Sequence, residues 1–211
     1  MALFQKNPQI QSGAPLYTLG ANKTILIIGL GNPGKEYAGT RHNIGFETLD
    51  EFANKNGFPG WTAKKDLKSE VTVQNLGENR VILCKPSVFM NNSGDAAQAV
   101  QRFYRVYNQG SLAVYDELAI PFGSLRTRLG GTDAGHNGVK SLIKHIGDDF
   151  SRLRVGVGSE TAKKADAADF VLGKFTKKEQ ESLPLITREA NALITEFIFG
   201  GQLPPETRSV L

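Results

Sequence analysis

Short apolar runs alternate with stretches whose apolar residues recur at helical spacing. Thr24 to Leu30 is an unbroken apolar run, the pattern of a strand covered on both faces and therefore central in its sheet. Ile44, Leu49, Phe52 and Ala53 form an approximate helical stripe over Ile44 to Asn56, closed by Gly57 and Pro59. Ser69 to Leu76 and Arg80 to Cys84 read as strands joined through Gly77-Glu78-Asn79 into a hairpin. A helix is predicted from Ser93 to about Tyr107, strands over Leu112 to Tyr115, Gly123 to Leu129 and Arg152 to Val157, and a short helix over Gly138 to Ile146. Thr176-Lys177-Lys178-Glu179 is a capping box that opens a helix running to about Phe199, where Gly200-Gly201 stop it. This mixture predicts an α/β fold: a single globular domain, residues 23 to 211, with a mixed, twisted central β-sheet flanked by helices. Residues 1 to 22, polar and without period, are expected to form a flexible N-terminal extension.

At 211 residues the chain can bury a sizeable core without metal or disulfide. Its one cysteine, Cys84, ends the run Val81-Ile82-Leu83-Cys84 and is expected as a small core side chain in a reducing cytoplasm. No run approaches the roughly 20 apolar residues that span a bilayer, and no apolar signal core is present. A cytoplasmic protein without membrane contact is expected. The net charge is only +4, but cations fall in pairs: Lys64 and Lys65, Arg126 and Arg128, Arg152 and Arg154, Lys163 and Lys164, Lys177 and Lys178. Period-two spacing puts Arg126 with Arg128, and Arg152 with Arg154, on one face of a strand, where they could track phosphates. Charge alone favours the plainer explanation, a solvated face.

Candidate chemistry begins at Gly29-Leu30-Gly31-Asn32-Pro33-Gly34, which matches the dinucleotide fingerprint G-x-G-x-x-G. That fingerprint needs a helix opening at its last glycines and an acidic residue ending the next strand. Pro33 removes an N–H donor, Gly34 to Thr40 reads as loop, and Asp50 and Glu51 fall on the predicted helix, so a nicotinamide cofactor is disfavoured. More informative is Arg41-His42-Asn43, an imidazole beside a glycine-rich loop at a strand end, where open α/β sheets bind ligands. Other polar clusters also follow strands: Lys85 to Gly94, Tyr115-Asp116-Glu117-Leu118, and Gly130 to Gly138. Brought together by parallel neighbours, they would form one cleft with two His, one Asp and three Asn. No serine sits in a nucleophile elbow and the cysteine is mid-strand, which disfavours covalent catalysis. Three histidines without His or Cys partners at ligand spacing argue against zinc. Water activated by histidine remains, with Asp116 fixing the tautomer and Asn amides holding the substrate. His145, near Lys144 on a predicted helix, is expected at the surface.

These stretches, in order, resemble the bacterial-type peptidyl-tRNA hydrolase family. The matches are Ile28 to Gly34 with Tyr37, Thr40 to Gly45, Lys85-Pro86 with Phe89-Met90-Asn91 and Ser93-Gly94, Asp116-Glu117-Leu118, Gly135-His136-Asn137-Gly138, Arg152 to Gly158, and Phe170-Val171-Leu172. The resemblance implies a monomeric α/β domain without metal or organic cofactor. It implies hydrolysis of the ester joining a peptide to the 3′-terminal ribose of tRNA, which recycles tRNA. It makes His42 the general base, Asp116 its partner, and Asn32 the residue that positions the water or the ester. Asn91 and Asn137 would hold the peptide and the developing oxyanion, Met90 would shape the peptide channel, and Tyr37 would pack at the cleft end near the tRNA terminus. His136 matches a binding-site histidine, and Arg128 and Arg154 match contacts to tRNA phosphates. Two departures stand out: Ala119 where the family commonly has Asp, and Thr132-Asp133-Ala134 where its loop is richer in glycine. An RNA-binding protein on the same fold without hydrolysis is the second reading. Retention of Asn32, His42, Asn91, Asp116 and Asn137 together speaks against it.

Overall fold

The computed structural model describes residues 23–159, 162 and 166–211. The predicted extension, residues 1 to 22, and the pair Lys163 and Lys164 lie outside them. The strands are β1 (Thr24–Gly29), β2 (Thr62–Lys64), β3 (Ser69–Leu76), β4 (Asn79–Pro86), β5 (Ser111–Pro121), β6 (Ser124–Leu129), β7 (Ser151–Gly158) and β8 (Thr207–Ser209). The α-helices are α1 (Ile44–Lys55), α2 (Ser93–Tyr104), α3 (Asn137–Ile146), α4 (Ala167–Leu172) and α5 (Lys177–Gly200).

One sheet holds all eight strands in the order β2-β3-β4-β1-β5-β7-β6-β8. β4, β1, β5 and β7 run parallel, while β2 and β3 on one side and β6 and β8 on the other are antiparallel additions. Alternate residues of β1 feed two cores. Ile25 and Ile27 pack with Leu49 and Phe52 of α1 and Leu193 and Phe197 of α5. Leu26 and Ile28 face the other way, with Val100 of α2 and Leu142 of α3. A strand covered on both faces must be apolar at every position, which is the pattern of Thr24 to Leu30. Cys84 is buried as expected, and burial pushes its thiol up to about 12.

Several elements depart from the sequence pattern. α2 stops at Tyr104 rather than Tyr107, because Arg105 turns left-handed (φ 57°) and its N–H closes on the Gln101 carbonyl. β5 runs on through Asp116, Glu117 and Leu118 to Pro121, with a register shift against β7 between Glu117 and Pro121. β2, β8 and α4 are too short to show a period. β8 is pinned to α5 by Arg208, which bonds Glu189 at 2.9 Å and Glu196 at 2.8 Å. His145 is half-buried rather than on the surface: its Nδ1 donates to the Ser141 carbonyl at 2.8 Å, close to Gly94 of α2.

From β1 the chain builds β2 to β4 on one side and then returns through α2 to β5 on the other side. The strand order reverses at β1. The carboxyl ends of β4, β1 and β5 therefore border a crevice, the position where doubly wound sheets bind ligands.

Candidate active site

His42 sits in a single 3-10 turn, Arg41–Asn43, that leads directly into α1. Gly45 allows this approach. A Cβ there would stand 2.3 Å from the Val114 carbonyl oxygen and 2.6 Å from the Leu30 nitrogen, so only glycine lets the helix start rest on the ends of β1 and β5. α1 opens at Ile44, well past Gly34, so no helix N-terminus stands at the G-x-G-x-x-G loop. Asn43 clamps that loop instead: its Oδ1 accepts from Asn32 N–H at 2.8 Å and its Nδ2 donates to the Asn32 carbonyl at 2.9 Å. Asn32 Oδ1 accepts from Met90 N–H at 2.8 Å, joining the loop after β1 to the turn before α2.

Asp116, buried near the end of β5, receives two imidazoles on one oxygen. Its Oδ1 lies 2.8 Å from His42 Nδ1 and 3.0 Å from His136 Nε2. His136 is also the N-cap of α3, where its Nδ1 accepts from the N–H groups of Gly138 at 3.1 Å and Val139 at 3.3 Å. A nitrogen that accepts carries no proton, so the His136 proton is on Nε2, facing Asp116. A carboxylate only accepts, so His42 carries its proton on Nδ1 and keeps the lone pair on Nε2. Burial alone would raise the Asp116 carboxyl, but the charge and hydrogen bonds of His136 and His42 outweigh it and hold it well below the usual carboxylate range.

The cavity above these groups measures about 720 Å³ and is lined by Asn32, His42, Asn91, Asp116, His136 and Asn137. Those are the two His, one Asp and three Asn of the sequence pattern, brought together by the parallel strand ends. Apolar walls are supplied by Phe89, Met90, Leu118, Val171 and Leu172. One expectation needs correction: the spacing argument against a metal-ligand set overlooked that the fold gathers ligand atoms of His42, Asp116 and His136 within 4.8 Å of one another. The 2.8 and 3.0 Å separations are those of hydrogen bonds sharing a carboxylate oxygen.

A family model described as peptidyl-tRNA hydrolase matches residues 26–207. The chain belongs to the peptidyl-tRNA hydrolase family. It is thereby an enzyme of the hydrolase class. The peptidyl-tRNA hydrolase of Rhizobium meliloti is 44% identical over 162 residues, 77% of this chain and 66% of that protein, so this chain spans slightly under two thirds of that relative. The peptidyl-tRNA hydrolase of Gloeobacter violaceus is also 44% identical over 162 residues, 76% of this chain and 81% of that protein. The crystal structure of peptidyl-tRNA hydrolase from Acinetobacter baumannii superposes with a TM-score of 0.77 at 33% identity, covering 85% of this chain and 90% of that one.

Within this peptidyl-tRNA hydrolase fold, the remaining candidates fall at different distances from the cavity. Tyr37 is half-buried and outside the cavity lining, with its ring edge-on to Phe89 at 6.1 Å. Arg128 and Arg154 lie in a separate shallow groove with Arg126. Cross-strand register places Arg126 opposite Arg154 and Arg128 opposite Arg152, so four arginines share one face of β6 and β7. Arg128 is exposed, and Arg154 is half-buried with Nη1 3.7 Å from Glu117 Oε2. Arg152 is buried and spent internally, bonding the Thr132 carbonyl at 2.6 Å and the Gly131 carbonyl. The departing loop still turns sharply, because Ala134 accepts φ 50° and Asp133 Oδ1 accepts from Gly135 N–H at 2.8 Å. Ala119 N–H donates to Glu117 Oε1 at 3.2 Å.

Sequence reasoning missed three contributors: Asn43 as a clamp, His136 as a helix cap, and α4 as a cavity wall. α4 left a readable signal. Asp166 precedes Ala-Ala-Asp and an apolar triplet, and its Oδ1 accepts from Ala168 N–H at 2.9 Å and Asp169 N–H at 3.3 Å.

Proposed function

We propose that this chain hydrolyses the ester between a peptide and the 3′-terminal ribose of tRNA by water activated on His42, and so returns tRNA to translation. It acts as a cytoplasmic monomer without cofactor or membrane contact. The observation that carries this reading is the Asp116 oxygen shared by two imidazoles, which leaves His42 Nε2 as an acceptor on a cavity wall. Water gives a proton to His42 Nε2 as its oxygen attacks the ester carbonyl, and the imidazolium rests against Asp116. Amide N–H donors of Asn91 and Asn137 stabilise the oxyanion, and Asn32 positions the water or the ester. When the tetrahedral intermediate collapses, the ribose 3′ oxygen leaves and takes the proton back from His42. Met90 and Phe89 give the peptide an apolar wall, Tyr37 flanks the terminal nucleotide, and Arg128 and Arg154 hold tRNA phosphates.

The test is release of the acyl group from an N-acetylated aminoacyl-tRNA by wild type and His42→Ala, without added metal. The expected outcome is cleavage by wild type and a turnover about 10²–10⁴-fold lower in the variant, the usual share of a general base. Undiminished cleavage by His42→Ala overturns the base assignment. Binding of tRNA without cleavage by wild type makes the chain an RNA-binding member of its fold.

A further inference from the structure

Arg41 precedes His42, yet its side chain leaves the cavity and enters the segment between α4 and α5. It is buried, at 6% exposure. Its Nη1 donates to the carbonyls of Lys174 at 2.9 Å, Gly173 at 3.3 Å and Phe170 at 3.4 Å, and Nη2 meets Glu179 Oε2 at 2.7 Å. The guanidinium also lies over the Phe170 ring, 4.2 Å from its centroid. The backbone repeats the connection, since Arg41 N–H donates to the Gly173 carbonyl at 3.1 Å and Thr40 bridges Lys174.

α4 is only six residues long. A helix leaves its last four carbonyls without intrahelical donors, so in so short a helix most of the acceptors need help from outside. Arg41 supplies it at the C-terminal end. The same helix presents Val171 and Leu172 to the cavity, and His42 lines that cavity from the other side. Glu179 holds the clasp from behind: its Oε2 also accepts from Thr176 N–H at 2.7 Å in the capping box of α5. One guanidinium therefore ties the turn bearing the base, the C-terminal end of the wall helix and the start of α5 together.

We propose that Arg41 is a positioning residue for the hydrolytic reaction: it clasps the α4 wall to the His42 turn, so that the cavity keeps the width in which the acyl chain is held against the base. The inference rests on the proposed hydrolysis. A lysine does not replace this group, because a single ammonium cannot fork toward three carbonyls and a carboxylate at once. Arg41 touches neither Asp116 nor His136, so its loss releases the wall without altering the charge of the base's partner.

The experiment compares wild type, Arg41→Lys, Arg41→Met and the milder Glu179→Gln on N-acetyl-aminoacyl-tRNA, with folded fraction measured by thermal unfolding. Hydrogen exchange by mass spectrometry follows peptides from α4 and α1. For Arg41→Met the expected result, per folded enzyme, is a KM raised about tenfold or more with a smaller fall in kcat. Exchange should accelerate in Ala167–Leu172 and stay unchanged in the central turns of α1. Arg41→Lys and Glu179→Gln should shift in the same direction by less. Should Arg41→Met fail to fold, Glu179→Gln carries the test, because its glutamine can still accept from Thr176. Wild-type KM in the folded variants overturns the proposal, even if their stability falls or α4 exchanges faster, since a purely structural arginine would behave so. Failure of wild type to cleave overturns the hydrolytic reading and this role with it, whereas a cleaving wild type with unaffected variants overturns this role alone.

Discussion

At the scale of single residues, the directions of a few hydrogen bonds decide the chemistry. His136 Nδ1 is occupied by two helix N–H groups, so its other nitrogen must donate to Asp116, and that carboxylate then accepts from both rings through one oxygen. Asp116→Asn tests what the charge contributes. An amide oxygen can still accept from both histidines, so geometry survives while the countercharge to an imidazolium is lost. We expect kcat lower by on the order of 10²–10⁴-fold with KM nearly unchanged, measured on N-acetyl-aminoacyl-tRNA. Stability gives an independent readout. The Asp116 carboxyl is held below its ordinary value in the folded state. Between that depressed value and about 3.9, the unfolded chain binds the proton and the folded chain does not. Its contribution is therefore fully present above about pH 4 and fades as the pH falls below it. Urea unfolding followed at pH values from about 2.5 to 6 should show a shallower acid decline in Asp116→Asn than in wild type. Equal slopes would show that Asp116 titrates alike in the folded and unfolded chains.

Elements meet where side chains are absent. Gly45 at the start of α1 and Gly94 at the start of α2 each lie against a neighbouring carbonyl, Val114 and Ser141, at distances that exclude a methyl group. These contacts set the depth at which α1 and α2 enter the sheet, and so the position of the His42 and Asn91 turns that precede them. Gly45→Ala is expected to destabilise the fold by about 1–3 kcal/mol, the usual cost of overpacking, and to lower activity per folded molecule because His42 moves with the helix start. Chemical denaturation and active-site titration of the soluble fraction check both parts; wild-type stability would mean that the helix start shifts freely. The capping box was legible because its four residues act locally. α4 was not, since six residues hold less than two turns and its stability comes from Arg41, far away in sequence.

Over the whole molecule, charge is organised by sheet geometry rather than by amount. Helices α1 and α5 cover one face of the sheet and α2 and α3 the other. Beyond α3 the second face carries Arg126, Arg128, Arg152 and Arg154 side by side. With Arg152 bonded inside, Arg128 and Arg154 remain to meet phosphate. Arg128→Ala combined with Arg154→Ala should weaken tRNA binding and reduce the slope of log affinity against log salt by about two, one for each phosphate no longer neutralised. Binding measured across a salt series checks this, and a wild-type slope would reject the phosphate role. The sequence by itself determined the α/β class, the central position of β1, the α5 cap and the set of residues that share the cleft. Strand and helix periods, turn chemistry and strand-end position are all written in neighbouring residues. Only the tertiary structure decided that His136 both caps a helix and shares Asp116, that Asn43 clamps Asn32, that Arg152 is spent within its own loop, and that Arg41 fastens a wall. Each of these depends on partners many residues distant, and a donor with several acceptors in reach chooses among them only when the packed chain fixes its distance to each.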